Sequence, residues 1–129
     1  MAVQNLFKAY EAVERNTLDG RDLEAHVLNR GAQLLIECRD QWNETGHKER
    51  LDQALGFNQK LWTFFQIELS NPKHPLPKKI REDILSLSVF IDKTIFDVMA
   101  DPASEKLTSI ININHNIAAG LSVSLGNQG

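Results

Sequence analysis

The stretch LDQALGFNQKLWTFFQIEL, residues 51–69, decides the fold class of this 129-residue chain. Its seam residues recur at alternating spacings of three and four, at Leu51, Leu55, Asn58, Trp62, Phe65 and Leu69. Such spacing places the side chains on one face of an α-helix, as a continuous seam. We therefore expect a helix over about residues 47–70 that packs against other helices.

The same periodicity extends outward in both directions from this helix. It predicts an amphipathic helix at residues 3–13 and further helices at about residues 20–42, 77–100 and 107–121. Residues 111–114 alternate as a strand would, but a longer helical pattern overlaps them and no second strand is predicted as a partner. The sequence therefore predicts an all-α protein, a single antiparallel bundle of about five helices.

A single domain over residues 1–129 fits this length, which is too short for two ordinary domains. Within it, residues 1–15 are predicted to be a detachable amphipathic helix on a turn-rich linker, and residues 126–129 a flexible tail. Gly31 interrupts the second predicted helix, where glycine costs about 1 kcal/mol relative to alanine. Close approach of a neighbouring helix would explain that cost.

The helix predicted at residues 77–100 carries more apolar side chains than one face can hold. Its main stripe consists of Ile80, Ile84, Leu87, Ile91, Ile95 and Val98. Three further apolar residues, Val89, Phe90 and Phe96, lie off that stripe. A helix that is apolar around much of its circumference is typical of a buried position, so we expect this helix to be central.

Charge and composition argue against several classes of partner. A formal net charge of −3 provides no general attraction to nucleic acid or to anionic membranes. The sequence has no apolar stretch long enough to span a bilayer, and its start lacks the features of a signal peptide, so we expect a cytoplasmic protein. Cys38 is the only cysteine, which precludes an internal disulfide, and its apolar neighbours predict a small buried thiol.

No residue pattern indicates an enzyme. The histidines at positions 26, 47, 74 and 115 are far apart and lack the spacing of a zinc-binding helix. A glycine-rich phosphate loop and a nucleophile motif are also missing from the sequence. We therefore expect no catalytic residues, no metal ligands and no cofactor, and a protein that acts by binding another protein.

Two predicted helices contain side chains that a plain bundle does not need. Residues 57–65 include four aromatic side chains, and asparagines alternate along residues 112–116, although asparagine is a poor helix former. One interpretation is core packing of the aromatics, with Asn58 and Asn114 as a buried amide pair that fixes helix register. The other is a groove that accepts an amphipathic helix from a partner. The second interpretation places five residues at the border of the binding surface: Asn58, Trp62, Phe65, Asn114 and Asn116.

Four short stretches follow one another in an informative order: FNQKLWTFF at 57–65, NPKHPLP at 71–77, LSLSVFID at 85–92 and INHNIAAGL at 113–121. Together they resemble the FlaF family of flagellar proteins, and the resemblance covers roughly residues 9–121. The sequence departs from the family pattern at residues 18–21 and at His115, where the family usually has arginine. The second departure removes a permanent positive charge, because histidine is largely neutral at pH 7.

The resemblance implies a flagellin-specific cytoplasmic secretion chaperone, which binds flagellin before export and promotes its synthesis and secretion by covering its amphipathic helices. It implies flagellin as a partner, with FlbT, a regulator of flagellin translation, as a further one. The alternative is a post-transcriptional regulator that acts with FlbT or on flagellin mRNA, although the net charge argues against direct RNA contact. A scaffold that binds only FlbT-like proteins is a third option. The oligomeric state and the flagellin segment bound stay open.

Overall fold

The computed structural model describes the backbone of residues 20–128 and the side chains of residues 22–122. In that part of the chain every regular element is helical: α1 (Gly20–Asp40), α2 (His47–Leu69), α3 (Lys78–Ala100), a short 3₁₀ helix (Ser104–Lys106) and α4 (Leu107–Gln128). The all-α class is therefore confirmed. The helix predicted at residues 3–13 lies outside the described residues. The flexible tail at residues 126–129 stays a prediction, and α4 extends through Gln128.

The turn between α1 and α2 is held by one arginine. Gly46 has a φ of 86°, in the left-handed region that favours glycine, and it immediately precedes α2. From the first turn of α2, the Arg50 guanidinium donates to the carbonyl oxygens of Thr45 at 2.6 Å, Gln41 at 2.9 Å and Glu44 at 2.9 Å. The Gln41 carbonyl oxygen also accepts from the Glu44 backbone amide at 2.9 Å. Because Arg50 joins three carbonyl oxygens of the turn, it fixes the tight reversal of the chain.

The proline-rich connection between α2 and α3 is also pinned by an arginine. Arg81 donates from Nε to the Leu76 carbonyl oxygen at 3.1 Å and from a terminal nitrogen to the carbonyl oxygens of Leu69 and Asn71, each at 3.4 Å. Leu76 is buried. Pro77, with a φ of −55°, directly precedes the first residue of α3. The segment is therefore an ordered corner that starts α3 at a defined place.

Neighbouring helices run antiparallel. The Trp42 and His47 rings meet edge-on across the α1–α2 turn with ring centroids 4.2 Å apart, so these two helices form a hairpin. Gln66 near the end of α2 donates to Asp92 of α3 at 2.9 Å, and α3 then returns past the start of α2, where Met99 lines a depression with Leu51. By this up-down-up-down path α2 and α4 run parallel, and α1 contacts α4 far more extensively than α3 does.

The seam predicted at residues 51–69 forms the centre of the core. All of its members are buried, namely Leu51, Leu55, Asn58, Trp62, Phe65 and Leu69. Cys38 is fully buried as well, which confirms the predicted small internal thiol. Burial raises the pKa of that thiol, although the positive charge of Arg50 lowers it in part. In the described residues no helix has the length and apolarity needed to cross a membrane.

The prediction that the helix at residues 77–100 is central is wrong. The three apolar residues off its main stripe are exposed: Val89 by 51%, Phe90 by 48% and Phe96 by 62%. Only one face of α3, with Ile91 and Ile95, is buried in the core. The excess of apolar side chains on this helix therefore faces solvent, and its contacts with α4 are sparse.

Candidate functional site

Three polar side chains meet in the middle of the bundle. The Trp62 indole nitrogen donates to Asn114 Oδ1 at 2.9 Å, and Asn114 Nδ2 donates to Asn58 Oδ1 at 2.7 Å. All three residues are completely buried. Because a buried polar group without a partner costs free energy, these bonds make the polar cluster compatible with a core. They connect α2 directly to α4.

The same two amides also reach the backbone of α1. Asn114 Nδ2 donates to the Leu28 carbonyl oxygen at 3.3 Å, and Asn58 Nδ2 donates to the Gly31 carbonyl oxygen at 3.1 Å. A further bond joins Asn58 Nδ2 to the Ala54 carbonyl oxygen of its own helix at 2.8 Å. Sliding α2 or α4 by one turn would break the bonds between these side chains, and sliding α1 would remove the Leu28 and Gly31 carbonyl oxygens that accept from them. The amide network, Asn58, Trp62 and Asn114, therefore fixes the register of α1, α2 and α4.

Gly31 is the position at which α1 comes close enough to join this network. A Cβ atom placed on Gly31 would lie 2.6 Å from Asn58 Oδ1 and 3.0 Å from Asn114 Nδ2. A carbon atom cannot approach the amide oxygen that closely, so any side chain here would push the network or α1 aside. The close approach of a neighbouring helix, expected from the cost of glycine inside a helix, is confirmed.

The structure brings four of the five predicted site residues together inside the bundle. Asn58, Trp62 and Asn114 are joined by hydrogen bonds, and the Phe65 ring meets the Trp62 ring edge-on with centroids 5.9 Å apart. Phe65 is only 5% exposed, whereas Asn116 is on the surface. A role for these residues at the border of a partner surface stays a prediction. The observed contacts of the four buried residues lie within the core of the bundle.

A groove opens between α3 and α4, which have few contacts with each other. It encloses about 270 Å³. Its α3 wall includes Ile80, Asp83 and Leu87, and its α4 wall includes Asn116, Ile117 and Gly120. At Gly120 an added Cβ would meet no atom within 4 Å, which confirms that this wall is open. The groove is therefore largely apolar, with one carboxylate on one wall and one amide on the other.

The helix α3 also carries exposed apolar side chains outside the core, and one of them lies beside the groove. In the described residues this helix carries most of the large exposed apolar side chains, at Ile80, Val89, Phe90, Phe96 and Met99. Phe90 follows Leu87 by three residues, which places it on the same side of the helix as the groove wall. An apolar groove bordered by an exposed aromatic side chain is typical of an interaction site. The sequence contained this signal as the apolar residues off the main stripe, but we interpreted it as burial.

The described residues do not assemble a metal centre. No group of three or more histidine, cysteine, aspartate or glutamate side chains lies close enough there to hold an ion. Two basic residues at the start of α3 already have partners, because Arg81 binds carbonyl oxygens of the preceding corner and Lys79 pairs with Asp83 at 3.0 Å. Among the described residues, the surface feature that suits the binding of a partner is the apolar groove.

Comparison with known proteins identifies one family. The sequence model of one family, described as flagellar protein FlaF, matches residues 6–121 and so covers nearly all of the chain. Neither a curated protein sequence nor a solved structure shows significant similarity to this chain.

Proposed function

Because the chain belongs to the FlaF family of flagellar proteins, we propose that it is a flagellin-specific secretion chaperone of the cytoplasm. It binds flagellin before export and promotes flagellin synthesis and secretion. The observation that carries this proposal is the apolar groove between α3 and α4, with Ile80 and Leu87 on one wall and Ile117 on the other. It holds an amphipathic helix of flagellin by its apolar face.

The need for such a groove follows from the behaviour of amphipathic helices. Flagellin ends in helices that find their partners only in the assembled filament, and before assembly their apolar faces would aggregate. A groove that accepts an apolar helix face covers it without chemistry, so that release needs only competition or dilution. The exposed Phe90 beside the groove adds apolar contact area for a helix longer than the groove itself.

The amide network supports the α4 wall from behind. Asn114 faces the core and binds Trp62 and Asn58, whereas Asn116 and Ile117 on the same helix line the groove. Because the network fixes α4 against α1 and α2, one wall of the groove is already in place before a partner arrives. Preformed surfaces lose less conformational entropy on binding, which favours affinity. We assign to Asn58, Trp62 and Asn114 the role of holding the α4 wall of the groove in position.

Two observations favour a protein partner over flagellin mRNA. The net charge is −3, whereas RNA affinity depends on many lysine and arginine contacts with phosphate. The basic residues Lys79 and Arg81 already contact Asp83 and backbone carbonyl oxygens. A gel shift on the flagellin leader RNA, with purified protein alone and at stated salt concentrations, tests the alternative. Specific retardation there would favour the post-transcriptional regulator.

The decisive experiment compares two exposed isoleucines, one that lines the groove and one that does not. Ile80→Glu places a charge in the groove, whereas Ile67→Glu places the same charge on α2, where Ile67 is 66% exposed and does not line the groove. Each variant is co-expressed with flagellin, and the complex is measured by co-purification and light scattering. We expect Ile80→Glu to weaken binding at least about tenfold, which corresponds to about 1.4 kcal/mol. Ile67→Glu should bind as the unsubstituted chain does. Equal losses in both variants, or no complex with the unsubstituted chain, would contradict the proposal.

A further inference from the structure

A second apolar surface of α3 lies on the side of the helix that faces away from the core. Val89 is 51% exposed and Phe96 is 62% exposed. They are seven residues apart, which is close to two helical turns, so their side chains lie on one face. Ile91, between them, is fully buried on the opposite side of the helix. We call Val89, Asp92, Lys93 and Phe96 the outer face of α3.

The outer face carries one charge of each sign between its two apolar side chains. Lys93 is exposed, and it forms no ion pair with any other residue that the structure describes. Asp92 is half-buried and accepts from Gln66 through Oδ2 at 2.9 Å. Because a carboxylate has acceptor sites for several donors, Asp92 can bind a cation as well as Gln66.

The order of these four residues makes the outer face complementary to a second copy of itself. Val89 precedes Asp92 by three positions, and Phe96 follows Lys93 by three. A two-fold axis that passes between Asp92 and Lys93, at right angles to α3, brings Val89 of each copy opposite Phe96 of the other. The same axis brings Asp92 of each copy opposite Lys93 of the other, so an attractive pair forms twice. A two-fold interface requires this kind of self-complementarity.

From this pattern we propose that two copies of the chain form a dimer through the outer faces of α3, with the two helices antiparallel. Burial of the apolar side chains drives the association, and the two ion pairs select the register. One helix from each copy provides less surface than a standard protein–protein interface. We therefore expect a concentration-dependent dimer with a dissociation constant in the micromolar range.

The outer face and the α3–α4 groove lie on different sides of α3. Phe90 borders the groove and follows Val89 by one residue, which is about 100° around the helix. A dimer through the outer face therefore leaves both grooves open. The surface that binds a second copy is distinct from the surface proposed for flagellin.

Sedimentation equilibrium of the full-length chain over a concentration series tests the dimer. Phe96→Glu places a charge on the outer face and should raise the dissociation constant at least about tenfold. Phe90→Glu is the matched control, because Phe90 is 48% exposed on the same helix but on the groove side. It should dimerise as the unsubstituted chain does. An unsubstituted chain that stays monomeric at about 1 mM, or equal weakening by the two substitutions, would overturn the proposal.

An exchange of the two charges tests the register. Lys93→Glu places a carboxylate opposite Asp92 of the second copy, and Asp92→Lys places two ammonium groups opposite each other. Each variant alone should dimerise at least about tenfold more weakly than the unsubstituted chain. An equimolar mixture of the two variants restores opposite charges at both pairs and should form heterodimers. A mixture that associates no better than the separate variants would overturn the proposed pairing. Circular dichroism of each variant checks that the fold is kept.

Two further measurements separate this inference from the proposed function. Ile80→Glu, in the groove, should dimerise as the unsubstituted chain does, whereas Phe96→Glu should still bind flagellin. Loss of the dimer in Ile80→Glu would place the contact in the groove and contradict the outer-face dimer. A dimer that responds to Phe96→Glu as predicted but binds no flagellin would support this inference and contradict the chaperone role.

Discussion

Substituting Gly31 with alanine adds a single carbon atom, the Cβ, next to the amide network. Alanine is the better helix former, and in an open helix position the change would stabilise the protein by up to about 1 kcal/mol. At Gly31, however, the new Cβ lies 2.6 Å from Asn58 Oδ1, 0.8 Å inside the 3.4 Å at which ordinary contact begins. Either the Asn58 side chain or α1 must move.

The cost of that movement follows from the hydrogen bonds that it breaks. Asn58 accepts from Asn114 at 2.7 Å and donates to the Gly31 carbonyl oxygen at 3.1 Å. A buried polar group that loses its partner costs about 1–3 kcal/mol. Two such losses, reduced by the gain in helix propensity, give a net destabilisation of about 3 kcal/mol. For a chain of this size the melting temperature should fall by roughly 10 °C.

Chemical and thermal unfolding, followed by circular dichroism, measure the effect, and the chain provides a matched control. Gly56 is also inside a helix, and an added Cβ there meets no atom within 4 Å. Gly56→Ala should therefore leave stability unchanged or raise it by up to about 1 kcal/mol. In an Asn58→Ala background, Gly31→Ala should lose most of its cost, because its steric partner is gone.

A Gly31→Ala variant as stable as Gly56→Ala would refute this reasoning. It would mean that the network tolerates displacement, and that the register of α1 against α2 and α4 is fixed by apolar packing alone. Equal cost of Gly31→Ala with and without Asn58 would show that the clash lies elsewhere on α1.

Three further predictions follow from the same contacts. Trp62→Ala should lower the free energy of unfolding by about 3–5 kcal/mol, since it removes a completely buried aromatic and the donor to Asn114. Unchanged stability together with lost flagellin binding would instead assign Trp62 to the binding surface. Arg50→Met, which keeps an unbranched apolar side chain, should cost about 1–2 kcal/mol in urea unfolding, because the carbonyl oxygens of the α1–α2 turn lose charged donors. Cys38 should react with a thiol reagent at pH 8 far more slowly in the native protein than in denaturant, because burial removes access and raises the thiol pKa. Since the native pKa is raised, the neutral thiol stabilises the fold below the ordinary thiol pKa of about 8.5, and this contribution is lost as the pH rises above it.

The helices themselves could be predicted from the sequence because each buries a periodic stripe. The helix expected at about residues 47–70 is observed at His47–Leu69, and the seam residues are all buried. The helical periodicity is interrupted by the glycine before residue 47 and by the proline-rich segment before residue 78. These interruptions coincide with the observed starts of α2 and α3. Local periodicity and backbone chemistry are enough for such boundaries, because they depend on neighbours within a few residues.

The amide network could be predicted only in part. Asparagine on an apolar helix face indicates a buried hydrogen bond, and the sequence offered Asn58 and Asn114 as a pair. The two residues are 56 positions apart, and the third helix contributes only backbone atoms at Leu28 and Gly31. Backbone carbonyl groups carry no signal in a sequence. In the sequence, only Gly31 indicated that α1 approaches α2 and α4 closely.

The groove could not be predicted, because it depends on the separation of two helices. Periodicity shows which faces of α3 are apolar but not whether a neighbour covers them, so Val89, Phe90 and Phe96 were interpreted as buried. In the structure α4 packs mainly against α1 and has few contacts with α3, which leaves the groove between α3 and α4 open.

Hydrogen–deuterium exchange with and without flagellin tests the central claim, that the α3–α4 groove receives a flagellin helix. The account predicts slower exchange on flagellin binding at residues 80–90 of α3 and 113–121 of α4, while α1 around Gly31 exchanges as before. The Ile80→Glu variant should lose this protection and Ile67→Glu should keep it. Protection confined to α1 and α2, or none in α3 and α4 although the complex forms, would contradict the account.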